Sequence, residues 1–114
     1  MSTTVYDRGQ IALVRFVFAD EQGVKRRPVL VLSTSAYQGG RAEVIVAALT
    51  SNVARLLPGD YLVERWQAAG LPKPSVVTAI LRTIKTPMIE RALGVLDTRD
   101  LQAFSKRLRP LLGL

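Results

Sequence analysis

The groups best suited to chemistry in this chain sit where polar segments meet apolar ones. Glu21-Gln22-Gly23-Val24-Lys25-Arg26-Arg27-Pro28 runs directly into Val29-Leu30-Val31-Leu32-Ser33. Arg26 and Arg27 carry forked donors that match phosphate oxygens, and Lys25 adds a point charge. Pro28 fixes the backbone immediately after Arg27. A second apolar segment, Val44-Ile45-Val46-Ala47-Ala48-Leu49, delivers Thr50 and Ser51, with Asn52 following. A hydroxyl at such a strand end can donate to a phosphate or an oxyanion. Two strand ends, one bearing arginines and one hydroxyls, would together hold a phosphate. Glu21 is the carboxylate nearest the basic cluster in sequence, which makes it the candidate proton acceptor. Each feature also has a plain structural reading. Three consecutive cations form a solvated charge run, Thr-Ser-Asn closes a turn, and Glu21 balances Arg26 or Lys25.

Composition narrows the chemistry. The chain has no histidine and no cysteine, which excludes Ser-His-Asp triads, thiolate nucleophiles and most zinc sites. Any catalysis must use Arg, Lys, Tyr, Thr, Ser or a carboxylate. Sixteen Lys and Arg against nine Asp and Glu give a formal charge of +7. Only Lys106, Arg107 and Arg109 of those cations follow Ala103, so the charge is not a basic tail. Such a balance suits a polyanionic partner, a nucleic acid or an acidic protein, although solubility alone can also favour it.

The elements that must position these groups are short. At 114 residues, 48% of them hydrophobic, the expectation is a single domain over residues 1–114 with a core of its own. No apolar run approaches the roughly 18 residues of a membrane span, and the N-terminus lacks the basic and apolar blocks of a signal peptide. The expected location is therefore the cytoplasm, with no membrane partner. Ile11–Phe18, Val29–Ser33, Val44–Leu49, Tyr61–Val63 and Ser75–Ile84 read as strands. Ala19–Arg27 reads as a charged loop turning at Gly23. Trp66–Leu71 reads as one helical turn stopped by Gly70, and Pro72-Lys73-Pro74 as an extended segment. Met88–Leu96 is compatible with a helical turn or a last strand. Asp97-Thr98 caps a C-terminal helix with Leu101, Phe104, Leu108 and Leu111 or Leu112 along one stripe. The fold class is mainly β (α+β), a small, partly open barrel with one helix packed against it.

The ordered set Arg8-Gly9, Glu21-Gln22-Gly23, Arg27-Pro28-Val29-Leu30-Val31, Val44 to Ser51, Arg82-Thr83-Ile84 and Leu93-Gly94-Val95-Leu96 resembles the MazF/PemK family. Trp66 to Val77 looks like a PemK-like branch of it. The resemblance implies an SH3-like barrel that dimerises, acting as the toxin of a type II toxin–antitoxin system and as an endoribonuclease on single-stranded RNA. It places the catalytic arginine at Arg27 and the catalytic threonine at Thr50, with Glu21 as the loop glutamate. Lys25, Arg26, Gln22, Ser51, Asn52 and Arg82 are the expected RNA-binding residues. The implied reaction needs no metal or other cofactor: the ribose 2′-hydroxyl attacks the adjacent phosphate. The implied partners are single-stranded RNA, an acidic cognate antitoxin and a second copy of the chain.

Three departures stand out, one of them Lys25-Arg26 directly before Arg27, which is expected to tighten phosphate binding. Gln10 occupies the place of the usual aspartate after Arg-Gly, and Ala79-Ile80 replaces a polar pair before Arg82-Thr83-Ile84. The Ala79-Ile80 departure keeps open a non-catalytic nucleic-acid-binding relative or co-regulator. A gyrase-poisoning toxin of the same fold is a further alternative. Its relatives end in Trp-Gly-Ile, whereas this chain ends Leu111-Leu112-Gly113-Leu114 and has its one tryptophan at Trp66.

Overall fold

Branched apolar residues at alternate positions build strands, and the computed structural model, which describes residues 4–17 and 23–114, contains six. They are β1 (Gln10–Val17), β2 (Val24–Val31), β3 (Glu43–Thr50), β4 (Tyr61–Leu62), β5 (Val76–Lys85) and β6 (Ile89–Val95). A short helix α1 (Ser35–Gln38) joins β2 to β3, and α2 (Thr98–Leu112) follows β6. The strands form one antiparallel sheet in the order β4-β5-β3-β2-β1-β6. Three strands separate β5 from β6 in that order, yet only one 3₁₀ turn, Thr86–Met88, joins them in the chain. So short a link requires the sheet to curl until its two sides approach. The result is a small, partly open SH3-like barrel.

Alternation gives the sheet two apolar faces. Ala12, Val14, Val29, Val31, Val44, Val46, Ile84 and Ile89 are buried together on the concave side. Their neighbours Ile11, Leu30, Ala47, Leu49 and Val77 are buried on the other side, under Phe104 and Leu108 of α2. Each such side chain contributes roughly 1.5–3 kcal/mol by leaving water.

Helix α2 is fixed at both ends. Asp97 caps it by accepting from the Arg99 backbone N–H at 2.8 Å, and Gly113 terminates it in the left-handed region at φ +73°. Asp100, in its first turn, is fully buried. Its carboxylate accepts from the Tyr61 hydroxyl (2.5 Å) and from the backbone N–H groups of Glu64 (3.2 Å) and Arg65 (3.0 Å). The Arg65 guanidinium lies 3.7 Å away. These bonds tie α2 to β4 and to the segment after it. Burial pushes the Tyr61 phenol well up from its ordinary range, and the bond to Asp100 adds to that.

The structure changes two local expectations, bears out a third and resolves a fourth. Val24–Arg27 is strand rather than loop, paired with β1 through Val14↔Arg27, Arg15↔Arg26 and Phe16↔Lys25. Consecutive cations conceal the period-2 signal there, and the partner strand supplies the order. Trp66–Leu71 is the expected single helical turn: Ala69 N–H donates to the Arg65 carbonyl, and Gly70, at φ +82°, stops it while its N–H and that of Leu71 donate to the carbonyls of Gln67 and Trp66. Met88–Leu96 divides into the end of the 3₁₀ turn and β6. The buried stripe of α2 stops at Leu108, because Leu111 and Leu112 are half exposed.

Candidate active site

The β2–β3 ladder pairs Val31↔Val46, Leu30↔Ala47 and Val29↔Ala48. The same register carried two residues further sets Arg27 across from Thr50. On the other side of β3, Thr50 pairs with Val76 at the start of β5. Strand alternation therefore puts Arg27 and Thr50 on the concave face, just beyond the core residues Val29 and Val46. A pocket of ≈ 400 Å³ opens at these strand ends. It is lined by Arg26, Arg27 and Pro28 from β2, by Leu49, Thr50 and Ser51 from the end of β3, and by Pro72, Lys73 and Ser75 before β5.

Thr50 satisfies both readings made from its sequence. Its Oγ1 accepts from the Asn52 backbone N–H at 3.1 Å, and Asn52 Oδ1 accepts in turn from Ala54 N–H at 3.3 Å. The turn holds the hydroxyl oxygen in place and leaves its proton to donate. Arg27 is exposed, and its only hydrogen bond among the described residues is a long one, 3.4 Å, from Nη1 to the Arg26 carbonyl. It has no carboxylate partner among those residues, so its guanidinium is available to an anion.

Arg26 is differently placed. Alternation turns it to the outer face, where its Nε donates to Glu90 Oε2 at 2.7 Å. Glu90 is the extra residue of a β-bulge, since the β1–β6 register steps from Leu13↔Arg91 to Val14↔Ile89. Without it, Arg15 and Arg26 would face each other as unrelieved like charges across β1 and β2. The hydrogen bond from Arg26 holds the Glu90 carboxyl below the usual carboxylate range, with Arg15 and Arg91 adding to the effect. The same pair raises the Arg26 guanidinium.

The remaining expected residues are spread around this point. Ser51 lines the pocket with Thr50. Asn52 lines a neighbouring pocket of ≈ 340 Å³, which Thr50 also borders. Arg82 is apart from both: it pairs with Val46 across β3–β5, and its guanidinium lies 5.4 Å from the Phe16 ring centroid. It does share the concave face with Arg27 and Thr50. Lys25 pairs with Phe16 on the β1–β2 ladder. Glu21 and Gln22 lie outside the described residues.

Sequence reasoning missed Lys73, Ser75 and Glu90. The signal for Lys73 is a cation held between Pro72 and Pro74, whose fixed backbone gives it a defined exit from the chain. Glu90 carried no comparable signal, because its role depends on a bulge. No group of three or more Asp or Glu gathers as a metal site among the described residues. No helix among them is long and apolar enough to cross a membrane.

The chain is similar to known proteins over most of its length. Residues 7–112 match the family described as PemK-like, MazF-like toxin of type II toxin-antitoxin system. Endoribonuclease MazF2 of Mycobacterium bovis is 37% identical over 97 residues, covering 82% of this chain and 83% of its own. The Mycobacterium tuberculosis toxin MazF-mt6 superposes with a TM-score of 0.74 at 27% identity, over 92% of this chain and 97% of its own. The MazE-MazF (Form-III) structure from Deinococcus radiodurans gives a TM-score of 0.81 at 23% identity, over 97% and 99% of the two chains. At that identity it speaks to the fold alone.

Proposed function

Because the chain belongs to the PemK-like, MazF-like toxins of type II toxin–antitoxin systems, we propose that it is an endoribonuclease that cuts single-stranded RNA at the Arg27–Thr50 pocket. The observation that carries this reading is the convergence of Arg27 and Thr50 on one pocket, from the successive and paired strands β2 and β3. The register that builds the concave core supports this reading, since carried two residues further it sets Arg27 across from Thr50.

The chemistry suits a chain without histidine. The ribose 2′-oxygen attacks the adjacent phosphorus, and the bond from phosphorus to the 5′-oxygen breaks. The products are a 2′,3′-cyclic phosphate and a 5′-hydroxyl. Arg27 stays protonated, so its role is to neutralise charge growing on the phosphoryl oxygens rather than to act as a base. Thr50 donates to one phosphoryl oxygen. The proton of the 2′-hydroxyl goes to a carboxylate, for which Glu21 is the candidate, and solvent water supplies the proton taken up by the leaving 5′-oxygen. RNA is required over DNA because the nucleophile is the 2′-hydroxyl.

The biological setting follows from the family and the charge. The toxin works in the cytoplasm as a homodimer, cuts mRNA and slows growth until an acidic antitoxin neutralises it. A formal charge of +7 favours an acidic, partly disordered antitoxin segment that folds on contact.

The test is direct. The purified protein is incubated with a long single-stranded RNA in EDTA, and the new ends are mapped. Cleavage persisting without metal, leaving 5′-hydroxyl ends and lost in Arg27→Ala and Thr50→Ala, is the expected result. RNA left intact by a protein that still binds it overturns the enzyme reading and favours a non-catalytic binder. Gyrase inhibition without RNA cleavage favours the gyrase-directed alternative.

A further inference from the structure

We propose that the pocket on the far side of Thr50 from Arg26 and Arg27, the one lined by Asn52, Arg55 and Ile80, receives the nucleobase next to the cleaved phosphate and prefers a keto base, uracil or guanine. The inference rests on the nuclease reading for its position, while its chemistry comes from the pocket itself. Thr50 borders both pockets, so a nucleotide with its phosphate at Arg27 and Thr50 has its neighbour's base beside the second one.

The wall of that pocket is aliphatic. Ile80 is 62% exposed and Leu57 52% exposed, both unusual for large apolar groups at the edge of a site. Ile80 alternates with Arg82 and Ile84 along β5 and so belongs to the concave face. An apolar wall accepts the face of a base, as any base has one.

Each side-chain acceptor in the lining already takes a hydrogen bond. The Asp60 carboxylate accepts from Leu57 N–H (2.9 Å) and Ala79 N–H (3.2 Å). The Thr78 hydroxyl donates to the Ala48 carbonyl at 2.8 Å, and Asn52 Oδ1 is engaged by Ala54 N–H at 3.3 Å. The lining side-chain groups without a hydrogen-bond partner among the described residues are the Asn52 amide nitrogen and the Arg55 guanidinium, both donors. A rim that offers donors over an apolar wall reads acceptors. Uracil O4 and guanine O6 satisfy it, whereas the amino groups of cytosine and adenine set donor against donor.

Uridine and cytidine oligonucleotides of equal length separate this effect from size and stacking. Binding is measured by fluorescence anisotropy with the cleavage-deficient Arg27→Ala protein, and the cut sites of the active protein are read from a randomised RNA. We expect about a tenfold preference for the uridine oligomer, the scale of one well-made base contact. The double variant Asn52→Ala/Arg55→Ala is expected to erase it. Ile80→Asp brings an acceptor to the wall and is expected to move the preference toward cytidine, in a protein whose melting temperature is checked to be near that of the parent. Equal binding of both oligomers by the parent, or a preference that survives the double variant, overturns the proposal. Cleavage with no keto preference beside the cut does the same while leaving the nuclease reading intact. A uridine preference lost in the double variant, without any cleavage, supports the base pocket and overturns the nuclease reading. A weakening of antitoxin binding by Ile80→Asp with base preference unchanged assigns the wall to a protein partner and overturns the proposal.

Discussion

Gly70 and Gly94 meet backbone to backbone: a Cβ on Gly70 would lie 2.2 Å from the Leu93 carbonyl oxygen, and one on Gly94 2.3 Å from that of Ala69. No side-chain rotation can relieve either clash. The contact docks the Trp66–Leu71 turn on β6, and that turn leads into Pro72-Lys73, one wall of the candidate active site. Gly94→Ala is expected to lower stability by about 1–3 kcal/mol, as overpacking does. Denaturant unfolding measures this. RNA cleavage assayed well below the melting temperature is expected to fall as well, because Lys73 shifts with the turn. Gly23→Ala, where a Cβ meets nothing within 4 Å among the described residues, is the contrasting case: its expected cost is that of φ +113°.

Thr50 offers a second check, since its hydroxyl has two roles. Its oxygen accepts from Asn52 N–H, and its proton is assigned to the phosphate. Thr50→Ser keeps both and is expected to retain most of the cleavage rate. Thr50→Val keeps the shape and loses both, so kcat is expected to fall by about 10²–10³, the range for loss of one preorganised donor. Its stability is expected to fall by only about 1 kcal/mol. Similar rates for the Ser and Val variants would remove Thr50 from the mechanism.

The Arg26–Glu90 pair predicts a salt effect. Glu90→Gln removes the carboxylate that neutralises Arg26 and leaves Arg15 and Arg91 nearby. One more uncompensated cation borders the pocket, so RNA binding is expected to tighten at low salt. The slope of log K against log salt is expected to steepen by roughly 0.7, one further counterion released from a single strand. Anisotropy titrations across a salt series provide the measurement, and an unchanged slope would show that Arg26 does not reach the RNA.

Stability should depend on pH in opposite senses at the two extremes. The side-chain and backbone hydrogen bonds of Arg99 hold the Asp97 carboxyl below its ordinary value. The folded pKa is then lower than the unfolded one. That stabilisation is present above the unfolded value, near 3.8, and is lost as pH falls through the depressed one. Tyr61 behaves inversely. Its folded pKa is raised by burial and by Asp100, so its contribution is intact below the unfolded value of 10.0 and declines as pH rises above it. Thermal unfolding from pH 2 to 11 is expected to show both limbs, with Asp97→Asn flattening the acid one and Tyr61→Phe the alkaline one.

Much of this was legible from residue order, for identifiable reasons. Val29–Val31 and Val44–Leu49 announce strands because branched residues have few other uses in short runs. Asp97 announces a helix start because an aspartate before a polar first turn has a specific hydrogen bond to make. Thr50 could be placed at a strand end from the apolar run before it, whereas Arg27, expected just before a strand, lies inside β2. Val24–Arg27 could not be recognised as strand, since its order comes from pairing with β1 rather than from its own residues. The Arg26–Glu90 bond was equally hidden: it joins residues 64 apart through a bulge that no local pattern signals. Lys73 was visible as a cation between prolines, but its role needed the fold of the preceding turn.

The alternation that buries Val29 and Val46 and exposes Arg27 and Thr50 has a consequence for how such a chain can diverge. A single inserted or deleted residue within β2 or β3 would invert the core and the site together, so lineages carrying it would be lost as unfolded rather than persist as inactive protein. Insertions and deletions should therefore collect in the β1–β2 connection, the Gln38–Ala42 turn and the Asn52–Pro58 stretch. The cutting chemistry would stay constant across relatives while the length and composition of those connections, and with them the RNA sequences cut, drift freely.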